Sequence, residues 1–131
     1  MNKNFDELEL RLPYKTTTNA PHMLDIRATA GDLVALPYNF LEMVQYNPSD
    51  ALLLTFAVCE VRIEGRNLLD LYTALVQHRI EYIQENDAKY ENADDRKPFI
   101  SRIEIKPLSK ELELIVNGFK PERQSLAKGE R

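Results

Sequence analysis

Residues 51–84, ALLLTFAVCEVRIEGRNLLDLYTALVQHRIEYIQ, change their hydrophobic period partway along, and that change decides the fold class. Leu52, Leu54 and Phe56 recur at every second position. Cys59, Val61 and Ile63 then alternate with Glu60, Arg62 and Glu64, the spacing of strands that bury one face. Gly65 is expected to end the second strand. Asn67, three residues before Asp70, resembles a capping box that opens a helix, with Asp70 placed in its positive first turn. From there Leu68, Leu69, Tyr72, Leu75, Val76, Ile80 and Ile83 fall on one helical face, opposite Asp70, Thr73, Gln77, Glu81 and Gln84. The spacing predicts a helix over residues 68–84, packed on the sheet.

Upstream, Leu24, Ile26 and Ala28 alternate with Asp25 and Arg27, and Gly31-Asp32 supplies a turn into a return strand over residues 33–37. Pro37 has no N–H to donate, which argues for an edge or a strand end. Another strand is expected over residues 40–46, closed by the turn cluster Asn47-Pro48-Ser49-Asp50. Nearer the start, Leu8, Leu10 and Leu12 alternate with charges as in a strand that Pro13 ends, and KTTTNAP (residues 15–21) reads as a connector. Downstream, ENDAKYENADDRK (residues 85–97) is charged and aperiodic, as in an exposed linker. A strand follows over residues 99–106, where Ile103 and Ile105 alternate with Arg102, Glu104 and Lys106. Residues 108–119 fit a helix face or a strand; pairing residues 111–116 with residues 102–106 is preferred.

The expectation is an α+β domain: a curled antiparallel β-meander of about five or six strands, small-barrel-like, packed on one long α-helix, with a C-terminal strand pair. The chain divides into an N-terminal strand and connector (1–22), core sheet and helix (23–86), charged linker (87–97), strand pair (98–117) and a disordered tail (118–131).

The 131 residues carry 17 Lys and Arg against 21 Asp and Glu, so the formal charge is 17 − 21 = −4. Surface scaling buries about two-thirds of the surface of a chain this long, so a core is available without a staple. A 44% hydrophobic and 29% charged composition excludes a disordered chain, a collagen-like fibre and a disulfide scaffold. The single Cys59 cannot form an internal disulfide, which leaves the redox compartment open and argues against a secreted, cross-linked scaffold; a cytoplasmic setting is the default expectation. No signal peptide is read in the acidic first ten residues, and the longest uncharged apolar stretch, residues 51–59, is about half of a membrane span.

The alternation places Cys59 on the buried face, where it packs rather than reacts. His78, Glu81 and Glu85 have the spacing of one helix side, but neither HExxH nor a Cys/His cluster accompanies them, so no metal is assigned; Asp87, Glu91, Asp94 and Asp95 lack the order of a calcium loop. No cofactor and no catalytic residue is assigned. Gly65-Arg66-Asn67, at a helix start, is the one candidate for phosphate binding, against a reading in which the glycine only allows the turn. Arg62, Arg66, Arg79, Arg102 and Lys106 could form a local basic face for nucleic acid, although the sequence pI of 5.2 argues against it. Arg62, Arg66, Tyr72 and His78 are therefore the candidate ligand-binding residues.

The order of LPY, NPS, VRIEGRNL and LY in residues 36–72, with the later RIEIKP, resembles a family of short bacterial proteins of unknown function. The resemblance covers about half the chain; it implies a bacterial origin and no activity for any residue. Strands closed by one long helix also resemble pleckstrin-homology-like and Sm-like small barrels, though the Sm order puts its helix first. The function expected is a non-catalytic binding or assembly module that self-associates, its open sheet edges pairing between copies. The alternatives are a small ligand-binding barrel or enzyme with Tyr72, His78, Tyr82 and an acid in a cleft near the helix, and an Sm-like RNA-binding barrel.

Overall fold

The computed structural model describes residues 12–28 and 33–108. They form an α+β domain of eight strands in two sheets and one helix. The first sheet holds β1 (Tyr14–Thr16), β2 (Met23–Arg27), β3 (Leu33–Pro37) and β7 (Ile80–Gln84) in the order β1-β7-β2-β3. The second holds β4 (Leu41–Tyr46), β5 (Leu52–Phe56), β6 (Cys59–Arg66) and β8 (Phe99–Pro107) in the order β4-β5-β6-β8. Helix α1 (Leu69–Val76) links β6 to β7. Among the described residues the sheets do not close into a barrel.

Strand alternation builds the core. In the second sheet Val44, Leu54, Val61 and Ile105 form one cross-strand row, and Tyr46, Leu52, Ile63 and Ile103 the next. In the first, Tyr14, Ile83, Ile26 and Val34 line up. These rows share one hydrophobic cluster with Leu68, Leu71 and Leu75 from the helix and the turn before it. On the opposite face of the second sheet, Glu60 stands across from Lys106, Arg62 from Glu104 and Glu64 from Arg102. Opposite charges alternate there in both directions, as on a solvated face.

Several expectations are corrected. The helix does not run over residues 68–84; it ends at Val76, because His78 adopts a left-handed backbone (φ 59°) and Arg79 N–H turns back to the Ala74 carbonyl at 2.8 Å. Residues 80–84 are instead β7, antiparallel to β1 and parallel to β2, so the first sheet is no meander. An irregularity opposite Lys15 and Thr16 pairs Lys15 with Tyr82 and Thr16 with Ile80, leaving Glu81 as the extra residue. Ile80 and Ile83 are thereby both buried at a spacing of three, which imitates a helix. Gly65 does not end β6, which continues to Arg66 across a bulge in its pairing with β8. Asn67 does not cap the helix; its backbone is left-handed (φ 58°) and its amide donates to the Asp95 and Lys97 carbonyls at 2.8 and 3.1 Å. The connector expected over residues 15–21 begins within β1. The strand expected before Pro13, the turn at Gly31-Asp32, the pairing of residues 111–116 and the tail lie wholly or almost wholly outside the described residues.

A buried tyrosine ties the sheets together. Tyr38, in the 3-10 turn between β3 and β4, donates its hydroxyl to the Ile80 carbonyl at 2.7 Å. Burial pushes this phenol up to about 12, above the value of about 10 in an unfolded chain. The folded state therefore holds the proton more tightly. Its contribution is complete below pH 10 and is lost as pH rises toward 12. Tyr38→Phe should reduce stability at pH 7 by about 1 kcal/mol and flatten that alkaline decline, as read from urea unfolding at pH 7 to 11.

Candidate functional site

The site grows from the end of β6. A Cβ at Gly65 would lie 1.9 Å from the Phe99 carbonyl oxygen, so only glycine lets β8 approach here. That approach pairs Arg66 with Phe99 and sets the guanidinium carbon 4.9 Å from the ring centroid. The left-handed Asn67 then swings the chain into α1. The first turn of the helix receives its polar partner from another element, since the Leu68 N–H donates to the Tyr46 hydroxyl at 3.3 Å. Tyr46 in turn stacks on Tyr72, with centroids 6.1 Å apart.

These residues enclose a groove of about 630 Å³ between the end of β4 and the start of the helix. Val44, Gln45, Tyr46 and Pro48 form one wall, and Arg66, Asn67, Leu69 and Tyr72 the other. Arg66 is the one charged side chain among them. Its Nε and Nη2 are buried and have no hydrogen-bond partner among the described residues. Such donors are ordinarily satisfied, because each left unpaired costs about 1–3 kcal/mol. The groove is thus lined by an arginine with two buried, unsatisfied donors and by the stacked Tyr46 and Tyr72, a set of residues that suits a carboxylate or phosphate attached to an apolar or aromatic body.

Of the four sequence candidates, Arg66 and Tyr72 come together in this groove. Arg62 does not join them; on the outer face of the second sheet it pairs with Asp50 at 2.7 Å and Glu64 at 3.0 Å. The bonds to Glu64 and Asp50 hold its guanidinium above the ordinary arginine range. His78 stands past the other end of the helix, stacked on Tyr38 at 4.6 Å. Tyr82 faces away on the first sheet, with Arg27 over its ring at 3.9 Å. Cys59 is buried, which pushes its thiol up. Glu85 accepts from the Ile103 N–H at 2.7 Å rather than standing on a helix with His78. Among the described residues no group of three or more His, Cys, Asp and Glu is placed to hold a metal ion.

Sequence reasoning missed Tyr46, Pro48 and Phe99. Pro48 was visible only as a turn residue, and Tyr46 only as a strand residue. Nothing in the order of residues reveals that Phe99 lies under Arg66. Comparison with protein-family models, curated proteins and solved structures finds no match to this chain. No helix among the described residues is long and apolar enough to cross a membrane.

Proposed function

We propose that this domain is a non-catalytic binding module whose ligand places an anionic group on Arg66. The observation that carries this reading is the pair of buried guanidinium nitrogens that have no partner, in a groove lined by no acidic side chain, among the described residues. A bidentate anion would satisfy both donors, and a charge-assisted bond of this kind is worth about 1.5–3 kcal/mol. The stacked Tyr46 and Tyr72 offer apolar surface to the rest of the ligand.

Calorimetric titration with benzoate and with phenyl phosphate tests it. Binding should weaken about tenfold or more in Arg66→Gln and stay unchanged in Arg62→Gln. Arg66→Met should abolish binding without loss of stability, since it removes the unsatisfied donors while the thioether still packs on Phe99. A large loss of stability in Arg66→Met, with anion binding absent from the wild type, would make the arginine a structural residue and end this reading.

Self-association belongs to the same proposal. β3 reads Leu33-Val34-Ala35-Leu36-Pro37, carries no charge, and is an edge of the first sheet among the described residues, with Leu33 71% exposed. An uncharged edge carries none of the lysines or acids that ordinarily prevent strand-to-strand association, so antiparallel pairing with a second copy is the expected use. Light scattering should report a dimer at micromolar concentration and a monomer for Ala35→Lys. A wild-type monomer throughout would remove the assembly role. A cytoplasmic setting accords with the lone reduced thiol.

The RNA-binding alternative finds less support, because Arg62 and Arg102 are paired with acids and Lys106 stands opposite Glu60. The cleft enzyme finds less as well, because Tyr72, His78 and Tyr82 stand apart.

A further inference from the structure

The groove at Arg66 has a neighbour along β4. A second depression of about 200 Å³ lies at the other end of the helix, lined by Leu41, Glu42, Met43 and Val44 and by Leu75, Val76 and His78. Val44 belongs to both. Together they follow β4 from Leu41 to Tyr46, with α1 running the opposite way along the other wall.

Consecutive β4 residues line these depressions. Pairing with β5 is irregular at Glu42, between Leu41 and Met43, but from Met43 to Tyr46 neighbours point to opposite faces, so what these consecutive residues can share is the strand's edge. β4 is an edge of the second sheet, with no strand on its outer side among the described residues. The groove is therefore walled by unpaired backbone on one side and by helix side chains on the other, as in strand-addition sites.

Charge and closure define what would fit. Arg66 and Glu42 stand at opposite ends, so the groove is polar along its length. At the Arg66 end, the turn that carries Pro48 and the corner at Asn67 both line the groove, and a chain that ends there would set its carboxylate beside Arg66.

We propose that the occupant is an extended peptide of about six residues, added as a strand parallel to β4, with its C-terminal carboxylate on Arg66 and a basic side chain toward Glu42. Six residues at about 3.3 Å each span the length of β4. This rests on the reading of Arg66 as an anion site and names the ligand class.

The test uses the full chain and a fluorescein-labelled hexapeptide, Lys-Val-Thr-Leu-Val-Val, with a free carboxylate or an amidated end, followed by anisotropy. The free acid should bind about tenfold or more tightly than the amide, and Arg66→Gln should erase that difference. Glu42→Lys should weaken the free acid by about two- to fivefold, the range of an exposed ion pair. Hydrogen exchange of backbone amides over residues 41–46 should slow on binding, and N-methylation of alternate peptide nitrogens should abolish it. Equal binding of acid and amide, or binding that leaves residues 41–46 unprotected, overturns the proposal. If neither peptide binds while benzoate still does, the peptide is wrong and the anion site stands. If benzoate fails as well, both readings fall.

Discussion

Gly65→Ala should lower the unfolding free energy by about 3 kcal/mol or more, among the largest effects of any single substitution in this domain. The added methyl would meet the Phe99 carbonyl oxygen at 1.9 Å, and the obstacle is backbone rather than a side chain that could rotate away. β8 must then separate from β6 beside the bulge. Two further consequences follow from the register. The pairing of Arg66 with Phe99 is lost, so the guanidinium leaves its aromatic floor. Ile100, which is fully buried, also shifts out of the core. Urea unfolding of Gly65→Ala should therefore show a lower midpoint, and any benzoate binding should weaken in the folded fraction. A variant as stable as the wild type would mean that β8 does not approach β6 as described.

Leu71→Ala comes next, with an expected loss of about 2–5 kcal/mol. Leu71 and Leu75 form the buried side of α1, each fully inaccessible within the shared core, whereas Leu69 on the same helix is 60% exposed. Leu69→Ala should thus change stability by only about 0.5 kcal/mol. The contrast tests the packing orientation of an eight-residue helix that is too short to persist alone and depends on its apolar face. Similar effects at Leu69 and Leu71 in denaturant unfolding would place the helix in another rotation.

How much of this was legible in the residues varied by element. The α+β class and the strands expected from residue 23, over 33–37, 40–46, 52–56, 59–64 and 99–106 follow from period-two alternation and turn residues, both local properties, whereas the continuation of β6 through Gly65 to Arg66 does not. The end of the helix was hidden because a histidine occupies a left-handed position where glycine is the familiar signal. β7 was hidden because its extra residue, Glu81, sets Ile80 and Ile83 three apart, the spacing of a helix. Its place between β1 and β2, parallel to the latter, is a long-range pairing that no local pattern encodes.

The site divides in the same way. Arg66 and Tyr72 stood out as residue types that bind, yet so did Arg62 and His78. What separates them is partnership: Arg62 has two carboxylates, His78 has the Tyr38 ring, and Arg66 has an aromatic floor but no acceptor for its buried Nε and Nη2 among the described residues. That distinction depends on which strands become neighbours. The acidic balance of the chain pointed away from anions as ligands, but a net charge of −4 says nothing about the local charge beside Arg66, the one charged side chain among the described residues that line that depression.

The most direct measurement is the Nε–H resonance of Arg66 in nitrogen-15 NMR during titration with benzoate. That proton should shift downfield as it gains an acceptor, saturating together with ring-current shifts at Tyr46 and Tyr72, while the Arg62 Nε–H stays in place. A stationary Arg66 signal, or one already shifted and exchange-protected in the free protein by an acceptor of its own, would contradict it.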